Sequence, residues 1–221
     1  MFKTETHLHL CEVSPCAQLS AEEMIRLYAE AGYHTVFVSD HLKDRYGNIP
    51  TEKKADHFMA GYEAAVRAGE KYGVTVLFAA ELQLNESPKH FLLYNIDRAF
   101  LMGAMERFDL PIAEFYAYAK THGVTVVQAH PYRDGLTEPT DAECIDALEA
   151  YNSNPRHNNL TQKAVEYAKA NGLPMTGGSD AHRTEDVGLG GVITPFPIES
   201  AEDYVRALMQ GEIKIIGEVA Q

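Results

Sequence analysis

Short apolar segments alternate with amphipathic ones along the 221-residue chain, and this alternation limits the folds open to it. Seven segments have the length and composition of strands, namely 4–10, 34–41, 74–84, 90–96, 124–131, 147–152 and 173–182. Helical periodicity appears between most of them, at 20–32, 51–72, 111–122, 159–171 and 200–210. An alternation of this kind predicts an α/β protein with a parallel sheet and helices packed outside it.

Helix-end signals support these boundaries. Ser20 and Glu23 have the spacing of a capping box, and the sequences HG at 122–123 and NG at 171–172 are typical helix ends. Seven strand–helix units favour a TIM-like barrel in a single domain over residues 1–221. A doubly wound open sheet is the alternative, but no GxGxxG motif follows the first strand.

Charge and composition exclude several classes of partner. The net charge of -13 argues against nonspecific binding to long nucleic acids or to anionic membranes. No apolar run approaches the roughly 18 residues that span a bilayer, and we expect a cytoplasmic protein. The three cysteines form no CxxC pair, which argues against a disulfide framework. Cys11 and Cys16 flank the first strand and could be thiolate ligands, although free thiols are the commoner case.

The first predicted strand contains two histidines at alternate positions. Residues i and i+2 of a strand point to the same face, so His7 and His9 are expected side by side, with Leu8 and Leu10 on the opposite face. Alone, such a pair has an ordinary interpretation as the edge of a surface strand. The other strand ends decide between this interpretation and a metal site.

Histidines and carboxylates recur where the predicted strands end. Active sites of α/β barrels lie at the carboxyl ends of the strands. The residues at these positions are His7, His9, Asp40, His41, Glu81, His130, Asp180 and His182, and His90 begins the fourth strand. This mixture of nitrogen and oxygen donors suits Zn, Mn or Fe better than Ca or Mg. The donors are too many for one tetrahedral ion, so we expect two to three divalent ions that share a bridging carboxylate.

These motifs together resemble the PHP (polymerase and histidinol phosphatase) family. The resemblance rests on HLH (7–9), SDH (39–41), the glutamate of AAEL, the first residue of HFLLYNID, QAHP (128–131) and SDAH (179–182), which occur in the family's order and span nearly the whole chain. It implies a distorted (β/α)7 barrel, a trinuclear metal centre and hydrolysis of phosphoesters.

The resemblance also implies a distribution of the ligands. One ion would be held by His7, His9, Glu81 and Asp180, a second by Glu81, His90 and His130, and a third by His41 and His182. Family members carry an acid or a histidine shortly after HxH, and Glu12 fits that place. Asp40 would either bind metal or orient a histidine.

Three arginines closely follow ligand positions. Arg45, Arg133 and Arg183 lie in SDHLKDR, AHPYR and DAHR, and a guanidinium binds phosphate oxygens in bidentate fashion. The ordinary alternative is that they are solvated loop residues. As phosphate-binding groups, they should not be needed to hold metal. His157 could also touch a substrate, but a surface-loop histidine is the commoner case.

The sequence thus predicts a phosphomonoesterase that acts on a small phosphorylated metabolite. A metal-bound water would attack phosphorus in line, the ions and arginines such as Arg133 would stabilise the transition state, and Asp40 or Asp180 could protonate the leaving group. The alternatives are a nucleotide or nucleic-acid phosphodiesterase, a phosphotyrosine-protein phosphatase and a noncatalytic metal-binding module. The sequence does not fix the oligomeric state.

Overall fold

The computed structural model describes residues 1–217 and has a mixed α/β architecture. The strands are β1 (Phe2–Leu8), β2 (Thr35–Val38), β3 (His41–Leu42), β4 (Thr75–Phe78), β5 (Ala80–Gln83), β6 (His90–Tyr94), β7 (Thr125–Gln128), β8 (Ala147–Asn152), β9 (Met175–Gly178), β10 (Val192–Thr194) and β11 (Lys214–Ile215). The helices are α1 (Ala21–Glu30), α2 (Thr51–Tyr72), α3 (Arg98–Met105), α4 (Ile112–Thr121), α5 (Thr161–Asn171) and α6 (Ala201–Gln210). The last four residues of the predicted domain, 218–221, lie outside the described part.

The strands form two sheets, with orders β11-β10-β1-β2-β4 and β3-β5-β6-β7-β8-β9. Most neighbouring pairs are parallel, as predicted, but β6 runs antiparallel to both β5 and β7, and β10 is antiparallel to β1. Strand β11 is also antiparallel to β10, so the predicted parallel arrangement does not extend to these strands. The reversal of β6 has a consequence for the site, because its first residue, His90, pairs with Gln83 at the end of β5.

The two sheets are linked where β2 leads into β3 and where β4 leads into β5, with only residues 39–40 and 79 between them. A single parallel bridge also joins Leu8 of β1 to Ala181 after β9. These links bring the ends of both sheets together. The closed seven-stranded barrel stays a prediction.

Apolar side chains fill the space between the sheets and the helices. Leu8 and Leu10 are fully buried and belong to the same cluster as Met24 and Ile25 of α1. The histidines of the first strand therefore face away from this helix, as the alternation predicts. The predicted capping box at Ser20 is present, and its side chain accepts a hydrogen bond from the backbone of Glu23.

One helix and two strands were not predicted, namely α3, β10 and β11. Helix α3 begins after Asp97, whose carboxylate accepts the N–H of Phe100 at 2.7 Å. Strand β10 pairs with the outer edge of β1. Within residues 1–217, no helix is long and apolar enough to cross a lipid bilayer.

Candidate metal centre

Glu81 of β5 lies at the centre of a buried cluster of histidines. Its side chain is inaccessible to solvent. Nitrogens of five imidazoles approach its two oxygens, those of His41 at 2.5 Å, His90 and His130 at 2.9 Å, His7 at 3.4 Å and His9 at 3.6 Å. A single carboxylate thus faces every histidine that was predicted to surround the first two ions, together with one predicted for the third.

Asp180 supplies a second carboxylate to the same cluster. Its Oδ1 lies 3.1 Å from Nε2 of His9 and 3.4 Å from Nε2 of His7. The turn after β9 holds Asp180 at a φ of 51°, and His130 after β7 has a φ of 30°. Positive φ angles at residues other than glycine are costly and occur preferentially at functional sites. The backbone therefore accepts strain where it points these two side chains inward.

The donor atoms form four overlapping groups, each with atoms within 4.8 Å of one another. The groups are His7–His9–Glu81, His7–His130–Asp180, His41–Glu81–His90 and His9–His41–His182. The structure thus brings together eight of the nine predicted ligands. The exception is Glu12.

These residues fit divalent metal ions. Oε2 of Glu81 is buried and has no hydrogen bond of normal geometry among residues 1–217. Nε2 of His7 lies 3.1 Å from Nε2 of His9, so ring nitrogens face each other with no carbonyl or hydroxyl between them. Nitrogen and carboxylate donors that converge in this way are typical of Zn, Mn and Fe sites.

The pKa directions also favour ligand roles. Burial by itself would raise the pKa of Glu81, but the charges of His90, His41 and His7 hold it well below its usual value. Burial, together with the charges of His41 and His182, lowers the pKa of His9 well below its usual value. Glu81 is thus ionised and His9 neutral, which are the forms that bind metal. Against the effect of burial, neighbouring carboxylates raise the pKa of His7 and His41, so these two rings would release a proton when an ion binds.

Asp180 does not suit the predicted role of proton donor. Burial alone would raise its pKa, but the charges of His7 and Arg133 hold the pKa well below its usual value. An acid that stays ionised cannot protonate a leaving group. The geometry favours Asp180 as a metal ligand instead.

Glu149 of β8 supports the cluster and was missed by the sequence analysis. One of its oxygens lies 2.9 Å from Nδ1 of His7, and the other accepts hydrogen bonds from the backbone N–H of His130 and from Asn152, both at 2.9 Å. Binding Nδ1 of His7 directs Nε2 of that ring toward the cluster. The signal in the sequence was a lone acid inside the apolar strand ALEAYN.

Glu5 of β1 is a second buried carboxylate that was missed. Its Oε1 accepts the backbone N–H groups of Thr6, His7 and Ser179 at 2.9–3.0 Å, and its Oε2 accepts the hydroxyl of Tyr28 at 2.8 Å. Burial raises the pKa of Glu5. Glu5 therefore ties the strand of His7 and His9 to the turn that precedes Asp180.

The structure does not bring Glu12 to the cluster. Glu12 is exposed, and its Oε1 accepts the backbone N–H of Ala21 at 2.9 Å, at the start of α1. The acid near the HxH motif is thus occupied as a helix cap. Its ligand role is not supported.

Asp40 is buried beneath the cluster and outside the four donor groups. Its Oδ1 accepts the backbone N–H of Leu10 at 2.8 Å and the hydroxyl of Ser14 at 2.7 Å. The oxygen of Ser14 in turn lies 3.5 Å from Nδ1 of His9 and accepts the backbone N–H of His41 at 3.1 Å. Asp40 therefore positions histidines through Ser14, which was the predicted alternative. Burial also raises the pKa of Asp40 to about 7, so the proton-donor role stays a prediction.

A cavity of about 270 Å³ opens beside the cluster. Its wall includes the ligand candidates His41, His90, Asp180 and His182, the side chains of Cys16 and Asn154, and the basic residues Arg133, Arg156, His157 and Arg183. The cavity therefore offers positive charge next to the candidate metal site.

The arginines near the cavity differ in what they contact. Arg133 donates to Asp180 at 2.6 Å, whereas Nε of Arg183 is buried without a hydrogen-bond partner among residues 1–217. Arg156, which was not predicted, forms a bidentate pair with Asp186 at 2.5 and 2.9 Å. Arg45 does not line the cavity and donates to the carbonyl of Val13 at 2.5 Å, so its predicted phosphate contact is not supported.

His157 is an exposed loop residue, as in the commoner case, and it also lines the cavity. Its Nδ1 is 2.7 Å from Oδ2 of Asp134, and Asp134 lies in the 3-10 turn that begins at Arg133. This pair places a half-exposed imidazole opposite the ligand histidines.

Known proteins resemble the chain in sequence over one segment and in fold over nearly all of it. Residues 157–213 match the PHP-associated family model. None of the curated proteins matches the sequence significantly.

Three solved structures illustrate the similarity of fold. A two-domain protein from Bacteroides vulgatus, described as containing a predicted PHP-like metal-dependent phosphoesterase, has a TM-score of 0.67 at 15% identity over 97% of this chain and 64% of its own. A Bifidobacterium adolescentis protein, provisionally named a metal-dependent phosphoesterase, has a TM-score of 0.56 at 17% identity over 98% and 99% of the two chains. A lesion-specific endonuclease from Pyrococcus furiosus has a TM-score of 0.62 at 15% identity over 97% of this chain and 57% of its own.

Proposed function

We propose that this chain is a PHP-family hydrolase that cleaves phosphate esters with two or three divalent transition-metal ions. The match of residues 157–213 to the PHP-associated model and the fold shared with PHP-like phosphoesterases support the family assignment. The observation that carries the proposal is the position of Glu81, whose buried carboxylate faces five imidazoles at 2.5–3.6 Å beside a cavity lined by arginines. A cluster of this kind is costly without cations, because buried carboxylates require compensating charge.

The ions would be held by the eight clustered donors, with Glu81 between them. When bound, such ions polarise phosphoryl oxygens and lower the pKa of water at the site. Mn, Zn and Fe all suit the donors, because imidazole and carboxylate ligands accept each of them.

The side chains of this protein would bind and orient the ester. Arg183 has an unpaired buried Nε on the cavity wall and is free to donate to a phosphoryl oxygen. One nitrogen of Arg133 already donates to Asp180, so a phosphate group bound by this arginine would lie beside the ligand cluster. Glu149 and Asp40 would keep the histidines in fixed orientations.

The dimensions of the cavity favour a small substrate. A volume of about 270 Å³ is below the range typical of drug-sized ligands, which is roughly 300–1,000 Å³. The net charge of -13 works against long nucleic acids. We therefore propose a phosphomonoester of a small metabolite as the substrate in preference to a long nucleic acid.

A nucleotide or nucleic-acid phosphodiesterase is the second candidate, since the endonuclease from Pyrococcus furiosus shares the fold. Net charge does not argue against short nucleotides, which need few phosphate contacts.

A substrate screen tests the proposal. Protein loaded with Mn or Zn is incubated with phosphomonoesters, phosphotyrosine peptides, nucleotides and dinucleotides, and the products are identified. Release of phosphate from small monoesters is expected, and Glu81→Gln at the same protein and metal concentrations controls for a contaminating phosphatase. Mononucleotide from a dinucleotide without free phosphate would favour the diesterase. Turnover confined to phosphotyrosine peptides would favour the protein phosphatase, and no turnover at full metal loading would favour the noncatalytic module.

A further inference from the structure

Cys16 lies on the cavity wall next to two ligand histidines. The loop between β1 and α1 carries it there, and its thiol contacts the side chains of both His41 and His182. These two imidazoles belong to one donor group with His9, whose atoms lie within 4.8 Å of one another. The thiol lies on the cavity wall beside this group of three, which does not itself include it.

Nε2 of His9 faces the neighbouring site, which contains His7 and Asp180. This nitrogen lies 3.1 Å from Nε2 of His7 and 3.1 Å from Oδ1 of Asp180. A further ion would then find only His41 and His182 as ring donors on its side of the cluster. Two protein ligands are fewer than the three that catalytic sites usually supply.

Glu12, the acid predicted as a further ligand after the HxH motif, does not join these histidines. Glu12 caps α1 through Ala21 and stands outside the donor groups. The same loop instead presents Cys16, four residues later, to His41 and His182. In addition, Oε2 of Glu81 is buried, has no hydrogen bond of normal geometry in the described part of the chain and lies 2.5 Å from Nδ1 of His41, so a carboxylate oxygen points toward the same place.

We infer that Cys16 is a thiolate ligand to an ion held with His41 and His182, on the side of the cluster that faces the cavity. This inference rests on the proposed metal centre and specifies one of its sites. On binding, the S–H proton is lost to solvent and a sulfur–metal bond replaces it. A thiolate selects softer ions, so this site prefers zinc or cobalt to manganese.

Cys11 provides a matched control in the same loop. Both cysteines are exposed, but the sulfur of Cys11 lies 3.7 Å from Oε2 of Glu12, and Cys11 does not line the cavity. Serine at position 11 changes the same atom in a similar solvent environment. It should leave the coordination of every ion unchanged.

X-ray absorption spectroscopy on the zinc-loaded protein tests the inference directly. The wild type and Cys11→Ser should show a sulfur shell at about 2.3 Å, beside nitrogen and oxygen shells at about 2.0–2.2 Å. Cys16→Ser should lose the sulfur shell. Cobalt-loaded protein should show thiolate-to-cobalt charge-transfer absorption in the near ultraviolet, again removed by Cys16→Ser and kept by Cys11→Ser.

Thiol alkylation gives a second readout that is independent of activity. Zinc should protect Cys16 from iodoacetamide and leave Cys11 reactive, and removal of the metal should expose both. A zinc-loaded wild type with nitrogen and oxygen shells alone, or with Cys16 as reactive as Cys11, would overturn the inference. The proposed function would survive that result if phosphate esters were still cleaved, whereas a protein that binds no metal would end both.

Discussion

Glu5 and Glu81 are both fully buried carboxylates on strands, but their surroundings differ. Glu5 accepts four hydrogen bonds, three from backbone N–H groups and one from the hydroxyl of Tyr28. Glu81 is surrounded by imidazole nitrogens, and its Oε2 has no normal hydrogen bond among residues 1–217. The protein thus satisfies both oxygens of Glu5, whereas among the described residues Glu81 has hydrogen-bond partners, His90 and His130, at Oε1 alone.

This difference distinguishes a carboxylate that stabilises the fold from one that belongs to a candidate metal site. Backbone N–H groups hold the carboxylate of Glu5, which thereby links β1 to the turn after β9. Burial raises the pKa of Glu5. The imidazoles around Glu81 can each be donor or acceptor, so they provide no fixed set of donors. Bound cations would satisfy Glu81 and all five rings together.

The largest effect is expected for Glu81→Gln. Glutamine keeps the size of the side chain but removes the charge that would join neighbouring ions. At least one ion should be lost, and kcat/KM on phosphate esters should fall by about a thousandfold, since bound metal contributes several kcal/mol to the transition state. Metal analysis and steady-state kinetics on the same preparation measure both. Full metal content with near-normal kinetics would show that Glu81 has only a structural role.

Glu5→Ala should act on stability instead. It leaves three buried N–H groups without an acceptor, at roughly 1–3 kcal/mol each, so the free energy of unfolding should fall by at least about 3 kcal/mol. Urea unfolding of the metal-free protein measures this change. Tyr28→Phe removes only the hydroxyl from the same carboxylate and should cost about 1 kcal/mol. If Glu5→Ala were as stable as the wild type, the hydrogen bonds of Glu5 would not stabilise the fold.

A smaller effect is expected for Arg183→Ala. Loss of a charge-assisted hydrogen bond to phosphate should lower kcat/KM by about 10- to 100-fold with normal metal content. Arg45→Ala is the matched control, because Arg45 donates to Val13 and does not line the cavity, and its kcat/KM should change by less than about twofold. Equal kinetics in both variants would end the phosphate-binding role of Arg183.

Arg133→Ala distinguishes the two arginines further. From the sequence, neither arginine is expected to be needed for metal binding. The structure changes this expectation for Arg133. Its side chain donates to Asp180 at 2.6 Å and so holds a candidate ligand in place. We expect Arg133→Ala to weaken metal binding as well as catalysis, by about 10-fold or more in metal affinity. Calorimetric titration with zinc measures this, and unchanged affinity would restore the simpler expectation.

The sequence could predict residues whose position follows from strand periodicity. His7 and His9 face the cluster because alternate residues share a face, and Leu8 and Leu10 are buried against α1 for the same reason. His90 begins its strand instead of ending it. The antiparallel direction of β6 explains its place, but direction depends on pairing between distant segments, which periodicity does not contain.

Side-chain direction in loops could not be predicted. Glu12 has the right chemistry and the right neighbourhood, yet it caps a helix, and Cys16 reaches the histidines instead. Glu5 and Glu149 were recognisable as acids within predicted strands. Their partners come from the other end of the chain, so their roles depend on the tertiary structure.

Metal stoichiometry tests the central claim most directly. The protein is stripped with a chelator, reconstituted with zinc or manganese, passed through a desalting column and measured by elemental analysis alongside Glu81→Gln. With eight donors clustered around Glu81, the account predicts about two to three ions per wild-type chain and at least one fewer in the variant. One ion or fewer per wild-type chain, or equal content in the two proteins, would contradict a multinuclear centre bridged by Glu81.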